Sequence, residues 1–302
     1  MDRLTAMELF VRIVETGSFS SVAREMDMTQ PTVSKQLSAL EQRLKTRLLN
    51  RSTRQLSLTE AGTSYYEACK RILDNVHEAE SNVGRLQGQL AGQLRVNTAI
   101  SLGQMYVGPL LLKFHKLHPE LEVDLSLSDR FVDLVEEGVD VAIRIGSLSD
   151  SNLVARRLGK TRRMAIATPT YLKKFGTPRT PQDLANHNCI LYAYLSSGNE
   201  WTFQGPDGNA IRVKVSGKIR ANNGEIIRQA VLADLGIAVM PQWIAQKDIE
   251  DGAVKAILSD YAPTVMDIHA VYPSARHLSA KVRAFVDFLQ SEFLRIPPLR
   301  AA

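Results

Sequence analysis

The chain has 302 residues, 44% of them hydrophobic, and a formal net charge of +5. That length suggests two or three domains, and that composition allows sizeable cores. Two cysteines, Cys69 and Cys189, do not make a disulfide framework, and no run approaches the ~18 consecutive apolar residues of a membrane span.

Met1 to Glu8 carries acids where a signal peptide would have an apolar run, so a soluble cytoplasmic protein is expected. The positive charge is concentrated. Lys35, Arg43, Lys45, Arg47, Arg51 and Arg54 fall in one stretch opposed there only by Glu41. Phosphate binding needs such a patch, although a solvated helix face would look the same in isolation.

Leu4, Met7, Phe10, Val11 and Val14 recur at helical spacing, and Gly17 ends that first helix. Ser18 or Ser20 can cap a short second helix from which small Ala23 allows a close crossing. Asp27-Met28 makes a tight turn, and Thr29 caps a third helix with Pro31 in its first turn. There Val33, Leu37, Leu40 and Leu44 form one buried stripe. The other faces carry Gln30, Thr32, Ser34, Lys35 and Gln36, hydrogen-bonding side chains gathered at the N-terminal end.

A helix-turn-helix needs this arrangement, because the recognition helix sends its first residues into the major groove. Gln can pair with an adenine edge, and Lys with a guanine edge or a phosphate. A generic three-helix core with a polar surface is the plainer alternative. Leu48 to Leu58 then places two short apolar segments around a basic tip, the pattern of a wing hairpin. Arg51, Thr53 and Arg54 would lie over phosphates or in the minor groove.

The segments TQPTVSKQLSALEQRL and LLNRSTRQLSLTEAG, in this order and at this distance from the start, resemble the N-terminal domain of LysR-type transcriptional regulators. VDVAIRIGSLSDSNLVARRLG resembles the subgroup that includes the regulator CrgA. The resemblance covers essentially the whole chain. It implies a regulator that binds double-stranded promoter DNA as a homodimer or homotetramer, with RNA polymerase a further expected partner.

Thr59 can cap a long helix in which Tyr65, Cys69, Ile72, Val76, Ala79, Val83, Leu86 and Leu90 follow a heptad seam. A second copy of the helix is the economical cover, which predicts a dimer on a pseudo-palindromic site. Packing on its own chain is the alternative. Gly88 and Gly92 mark a hinge near residues 88–92.

Beyond the hinge, short β-rich runs alternate with amphipathic helices. Strands are expected over 94–100, 121–127, 139–145, 163–167 and 236–240, and helices over 105–117, 131–137, 225–233 and 279–294. The segment from Ile190 to Val215 is ambiguous. The alternation argues for an α/β domain with mainly parallel strands. The expected organisation is a winged helix-turn-helix at 1–58, a linker helix at 59–91 and an effector domain at 92–302. Its first lobe would take 92–162 and 267–302, and its second lobe 163–266.

The family resemblance implies two lobes like those of type 2 periplasmic binding proteins, with a ligand cleft between them. The strand-to-helix segments at Ser101-Leu102 and at Asn223 fit that cleft, because ligands bind at strand carboxyl ends against helix N-termini. The resemblance adds residues near Ser128, Arg144, Ala167 and Trp201. Helix N-termini and Arg144 would hold a small-molecule effector, with a carboxylate the simplest choice. Ser101 and Asn223 could equally be plain helix caps, and Arg144 could pair with a nearby acid.

His115 and His118 lie three apart at a helix end with no further His or Cys nearby, so no metal site is expected. No catalytic motif appears, which gives an enzyme low weight and calls for no cofactor. A DNA-binding repressor whose second domain serves only oligomerisation stays open. A transport-type binding protein is disfavoured by the basic helix-turn-helix.

Overall fold

The computed structural model describes residues 2–51, 56–83, 90–130, 133–146, 153–195, 197–261, 265–273 and 278–300; at 51, 74–75 and 77–83 only the backbone is described. Packing divides the chain into two compact units, Met1–Gln93 and Leu94–Ala302.

The first unit holds α1 (Arg3–Thr16), α2 (Phe19–Glu25), α3 (Gln30–Leu44), the strands β1 (Leu49–Arg51) and β2 (Leu56–Leu58), and α4 (Glu60–Val83). Each helix start has a local cause. The Asp2 carboxylate accepts from the N–H groups of Leu4 and Thr5, Ser18 Oγ from Ser21, and Thr29 Oγ1 from Thr32. Gly17 ends α1 in the left-handed region at φ 63°. The turn between α2 and α3 uses Asp27 at φ 50°. Leu9, Phe10, Ile13, Val22, Val33 and Leu37 have no exposed surface and make one core. Burying each such side chain contributes about 1.5–3 kcal/mol. β1 and β2 pair antiparallel, Leu49 opposite Leu58.

Gly62 lets α4 start close to the hairpin. A Cβ there would lie 1.9 Å from the Leu48 carbonyl oxygen, which Thr59 Oγ1 also approaches at 3.2 Å. Tyr65 and Cys69 then face the unit's own core. Cys69 has no exposed surface, and the Tyr65 ring lies 5.6 Å from that of Phe10.

The chain enters the second unit within β3 (Gly92–Thr98), followed by the helical turn α5 (Ile100–Leu102), a π-helical turn over Gly103–Val107, and α6 (Gly108–Leu117). β4 (Leu121–Leu127), β5 (Val141–Ile145) and β6 (Val154–Thr161) follow, then β7 (Arg163–Ala167) and α7 (Pro169–Phe175). Next are β8 (Leu191–Tyr192), β9 (Glu200–Gln204), β10 (Ala210–Lys214), β11 (Arg220–Ala221) and α8 (Gly224–Leu232). The chain closes with β12 (Ala238–Pro241), α9 (Gln242–Glu250), β13 (Lys255–Ile257), β14 (Met266–Tyr272) and α10 (Ala280–Phe293).

The first lobe is built on a five-stranded sheet of order β4-β3-β5-β14-β6, and the second on β12-β7-β13. The chain leaves the first lobe after β6 and returns to it at β14, so α10 packs back on β6 and α6.

The sheets are mixed rather than mainly parallel. β3 and β5 run parallel, but the returning β14 is antiparallel to β5 and β6, and β7 is antiparallel to both its neighbours. The helix expected over 131–137 is a single turn at 134–138. Asp133 Oδ1 accepts from the N–H groups of Val135 and Glu136, and Gly138 reverses the chain at φ 63°. Residues 131 and 132 lie outside the described residues. The helix expected from Met105 opens earlier, at Ile100.

Candidate DNA-reading face and ligand cleft

The N-terminal end of α3 presents the surface expected of a recognition helix. Gln30, Pro31, Thr32 and Lys35 are exposed, Ser34 and Gln36 are half-buried, and Val33 and Leu37 face the core. Thr29 and Thr32 share a 2.8 Å hydroxyl contact that fixes the first turn. Arg12 ties α1 to α2 through two bonds of 2.9 Å to Glu25, which holds the scaffold behind α3.

Glu41 does not oppose the basic patch as a free surface charge. Its Oε1 accepts from the N–H groups of Leu48 and Leu49 at 2.8 and 3.2 Å and so anchors the start of the hairpin. Arg43, Lys45 and Arg47 are exposed beside it. Arg51 closes β1, while Thr53 and Arg54 lie outside the described residues.

Along α4, Ile72 is the first exposed position of the heptad seam, at 38%. Val76 is half-buried. Ala79 and Val83 lie on the helix, their side chains outside the described residues, as is Leu86. Tyr65, half-buried, and Cys69, fully buried, pack on the intrachain core. Equal spacing brings them onto the same stripe, but α1 covers them first.

In the second unit, parts of both lobes converge at one point. Asn223 caps α8: its Oδ1 accepts from the N–H groups of Glu225 and Ile226 at 3.0 and 3.2 Å. Ser101 does not cap its helix. It sits inside the first turn, 8% exposed, and among the described residues its Oγ and Thr98 Oγ1 have no hydrogen-bond partner. A Cβ on Gly224 would lie 3.4 Å from that Oγ, so the two helix starts approach closely.

Asp129 does the work expected of Ser101. Its Oδ1 accepts from Ile100 N–H at 3.0 Å, and its Oδ2 accepts from Asn223 Nδ2 at 3.3 Å. Sequence reasoning missed this residue. The one available signal was its place just past the carboxyl end of β4.

Ser128 lies beside it, with its N–H on the Thr98 carbonyl at 2.9 Å. Arg144 is buried at 8% exposure, next to His269 across the sheet. Burial lowers the Arg144 pKa, while the charges of Glu137 and Asp129 act to raise it. Tyr192 is pushed up to about 12 by burial first and the Asp129 charge second. Leu102, Ala167 and Trp201 are buried, at 0%, 0% and 4% exposure; Ala167 and Trp201 belong to the second lobe's core.

Among the described residues no group of three His, Cys, Asp or Glu side chains could hold a metal, and no helix is long and apolar enough to cross a membrane.

A winged helix-turn-helix followed by a long helix and a two-lobed α/β unit defines a DNA-binding regulator with a sensory domain. Residues 4–63 match the bacterial regulatory helix-turn-helix of the lysR family, and residues 87–294 match the LysR substrate binding domain. The chain belongs to the LysR family of transcriptional regulators.

It is 38% identical over 286 residues to an uncharacterized HTH-type transcriptional regulator of Haemophilus influenzae, covering 93% of this chain and 98% of that one. It is 36% identical over 287 residues to the HTH-type transcriptional regulator CrgA of Neisseria meningitidis serogroup C, covering 95% of each. The solved structure of CrgA from Neisseria meningitidis, a LysR-type transcriptional regulator, aligns with a TM-score of 0.61 at 35% identity. That alignment covers 95% of this chain and 98% of that one.

Proposed function

We propose that this regulator, working in the cytoplasm, reads promoter DNA as a dimer or a higher homo-oligomer, and that a small anionic effector entering the cleft between its lobes changes that assembly. RNA polymerase would be its further partner. Gln30, Pro31, Thr32, Ser34, Lys35 and Gln36 would meet the major groove, with Arg51, Thr53 and Arg54 on flanking phosphate or minor groove. A partner helix would cover the α4 seam from Ile72 through Val76, Ala79, Val83 and Leu86.

The observation that carries the effector reading is the close approach of buried Ser101 and the Asn223-capped start of α8 where the two lobes meet. A carboxylate would accept from the unpartnered Ser101 hydroxyl.

A thermal-shift panel of small metabolites tests it, since a ligand that binds only the folded state raises the melting temperature. Carboxylates should raise it in the wild type and less in Arg144→Ala. A flat response across the panel would favour a second unit that serves only oligomerisation. Salt-dependent binding to duplex DNA tests the reading head, and a salt slope near zero would sink it.

A further inference from the structure

Two helix starts meet head to head across the lobes. The helical segment opening at Ile100 and the helix α8 opening at Gly224 both bring their positive ends to this point. Each carries roughly half a positive charge, so their approach is unfavourable unless an anion lies between them. Asp129 supplies that anion: one carboxylate oxygen takes the Ile100 N–H and the other takes the Asn223 amide.

Asn223 suits this role for a chemical reason. Its oxygen caps α8 while its nitrogen donates to Asp129. An aspartate would keep the cap but place a second carboxylate against the first. A serine would offer a shorter reach from the same position.

We propose that Asp129 is a tethered competitor, a built-in carboxylate that latches the two lobes together where the effector's anionic group must enter. This rests on the cleft reading above and sharpens it. A tethered group acts at a high effective concentration, so the cleft discounts the affinity of any free carboxylate by the fraction of time the latch is open. Only a ligand that gains more than the anionic contact, for instance against Tyr192 and Tyr194, whose rings lie 6.1 Å apart, would displace it. The unpartnered Ser101 hydroxyl is then available to the incoming group.

The test uses the full chain with spin labels on Lys116→Cys and Lys247→Cys, exposed positions in the first and second lobes. Cys69 and Cys189 have no exposed surface, so the labels go to the introduced thiols. The inter-label distance is measured by pulsed electron resonance, and the probes for binding are acetate, succinate and benzoate.

Asp129→Asn should broaden or lengthen the distance and tighten benzoate binding about tenfold, the factor expected for a latch closed nine-tenths of the time. Asn223→Asp retains the cap and should also lengthen the distance. Combining the two exchanges donor and acceptor and should return the distance toward that of the wild type. An unchanged distance in both single variants, or no recovery in the double, overturns the latch. Benzoate binding to Asp129→Asn that is absent, or within twofold of the wild type, overturns the competition. Failure of the cleft reading shows separately: no metabolite in the panel then stabilises either protein, while the label distances still report on the latch.

Discussion

The position of α8 depends on one charge cluster, and removing it should be costly. Arg228 Nε and Nη2 lie 2.5 and 2.6 Å from the two oxygens of Asp248 on α9, and Nη1 lies 2.8 Å from Glu225. The Asp248 side chain is 9% exposed and that of Arg228 is 25% exposed. Asp248→Ala would leave a largely buried guanidinium with Glu225 alone. Breaking a fully buried pair costs 3–5 kcal/mol, and the quarter exposure of Arg228 and the remaining Glu225 contact reduce this to about 2–3 kcal/mol.

For a unit of this size that loss corresponds to a fall of roughly 5–10 °C in melting temperature. Differential scanning calorimetry of the full chain would read it in the transition of the second unit. Because Asn223 begins α8, effector affinity should fall in parallel. A shift under about 1 °C would refute the reasoning, since it would mean that Arg228 finds full solvation without Asp248.

Gly62→Ala should destabilise the first unit and weaken DNA binding, because its Cβ meets the Leu48 carbonyl at 1.9 Å; unchanged melting in calorimetry would count against the close approach. Lys35→Ala should lower promoter affinity by about 1–3 kcal/mol if it reads a base edge, with relaxed specificity at that position, measured by gel shift on single-base variants of the site. Burial pushes the Cys189 thiol from the ordinary 9.0 up to about 12, so the folded chain holds a proton that the unfolded chain releases. Its contribution to stability is complete below pH 9 and is lost as pH rises toward 12, which denaturant midpoints at pH 8, 9 and 10 would show as a decline. In native protein at pH 8 Cys189 should resist iodoacetamide, and rapid labelling would contradict its burial.

The reading head was legible because its signals are local. Thr29, Pro31 and Gly17 mark helix ends within a few residues of where they act, and the steps from Val33 to Leu40 state which face is buried. The seam on α4 was only half legible. Spacing says that Tyr65, Cys69 and Ile72 share a stripe, but not what covers it. Coverage passes from α1 to open surface between Cys69, fully buried, and Ile72, 38% exposed. The 131–137 segment is cut to a single turn by its ends: Asp133 caps it as Asp2 caps α1, and Gly138 at φ 63° stops it one turn later.

The cleft was least legible, because no local pattern encodes it. Asp129 and Asn223 are 94 residues apart and meet only after both lobes have formed. A loop aspartate carries no period, and its role depends on two helix starts that the sequence positions separately. The same reasoning applies to Leu102, Ala167 and Trp201, which are buried. Being near a strand end is a matter of topology, whereas facing a ligand is a matter of which atoms the folded lobes leave without partners. Ser101 and Thr98 meet that second condition. They stand on either side of the Ile100 N–H that Asp129 takes, one at the end of β3 and one in the first helical turn, so the point where the lobes meet keeps two hydroxyls to offer a ligand.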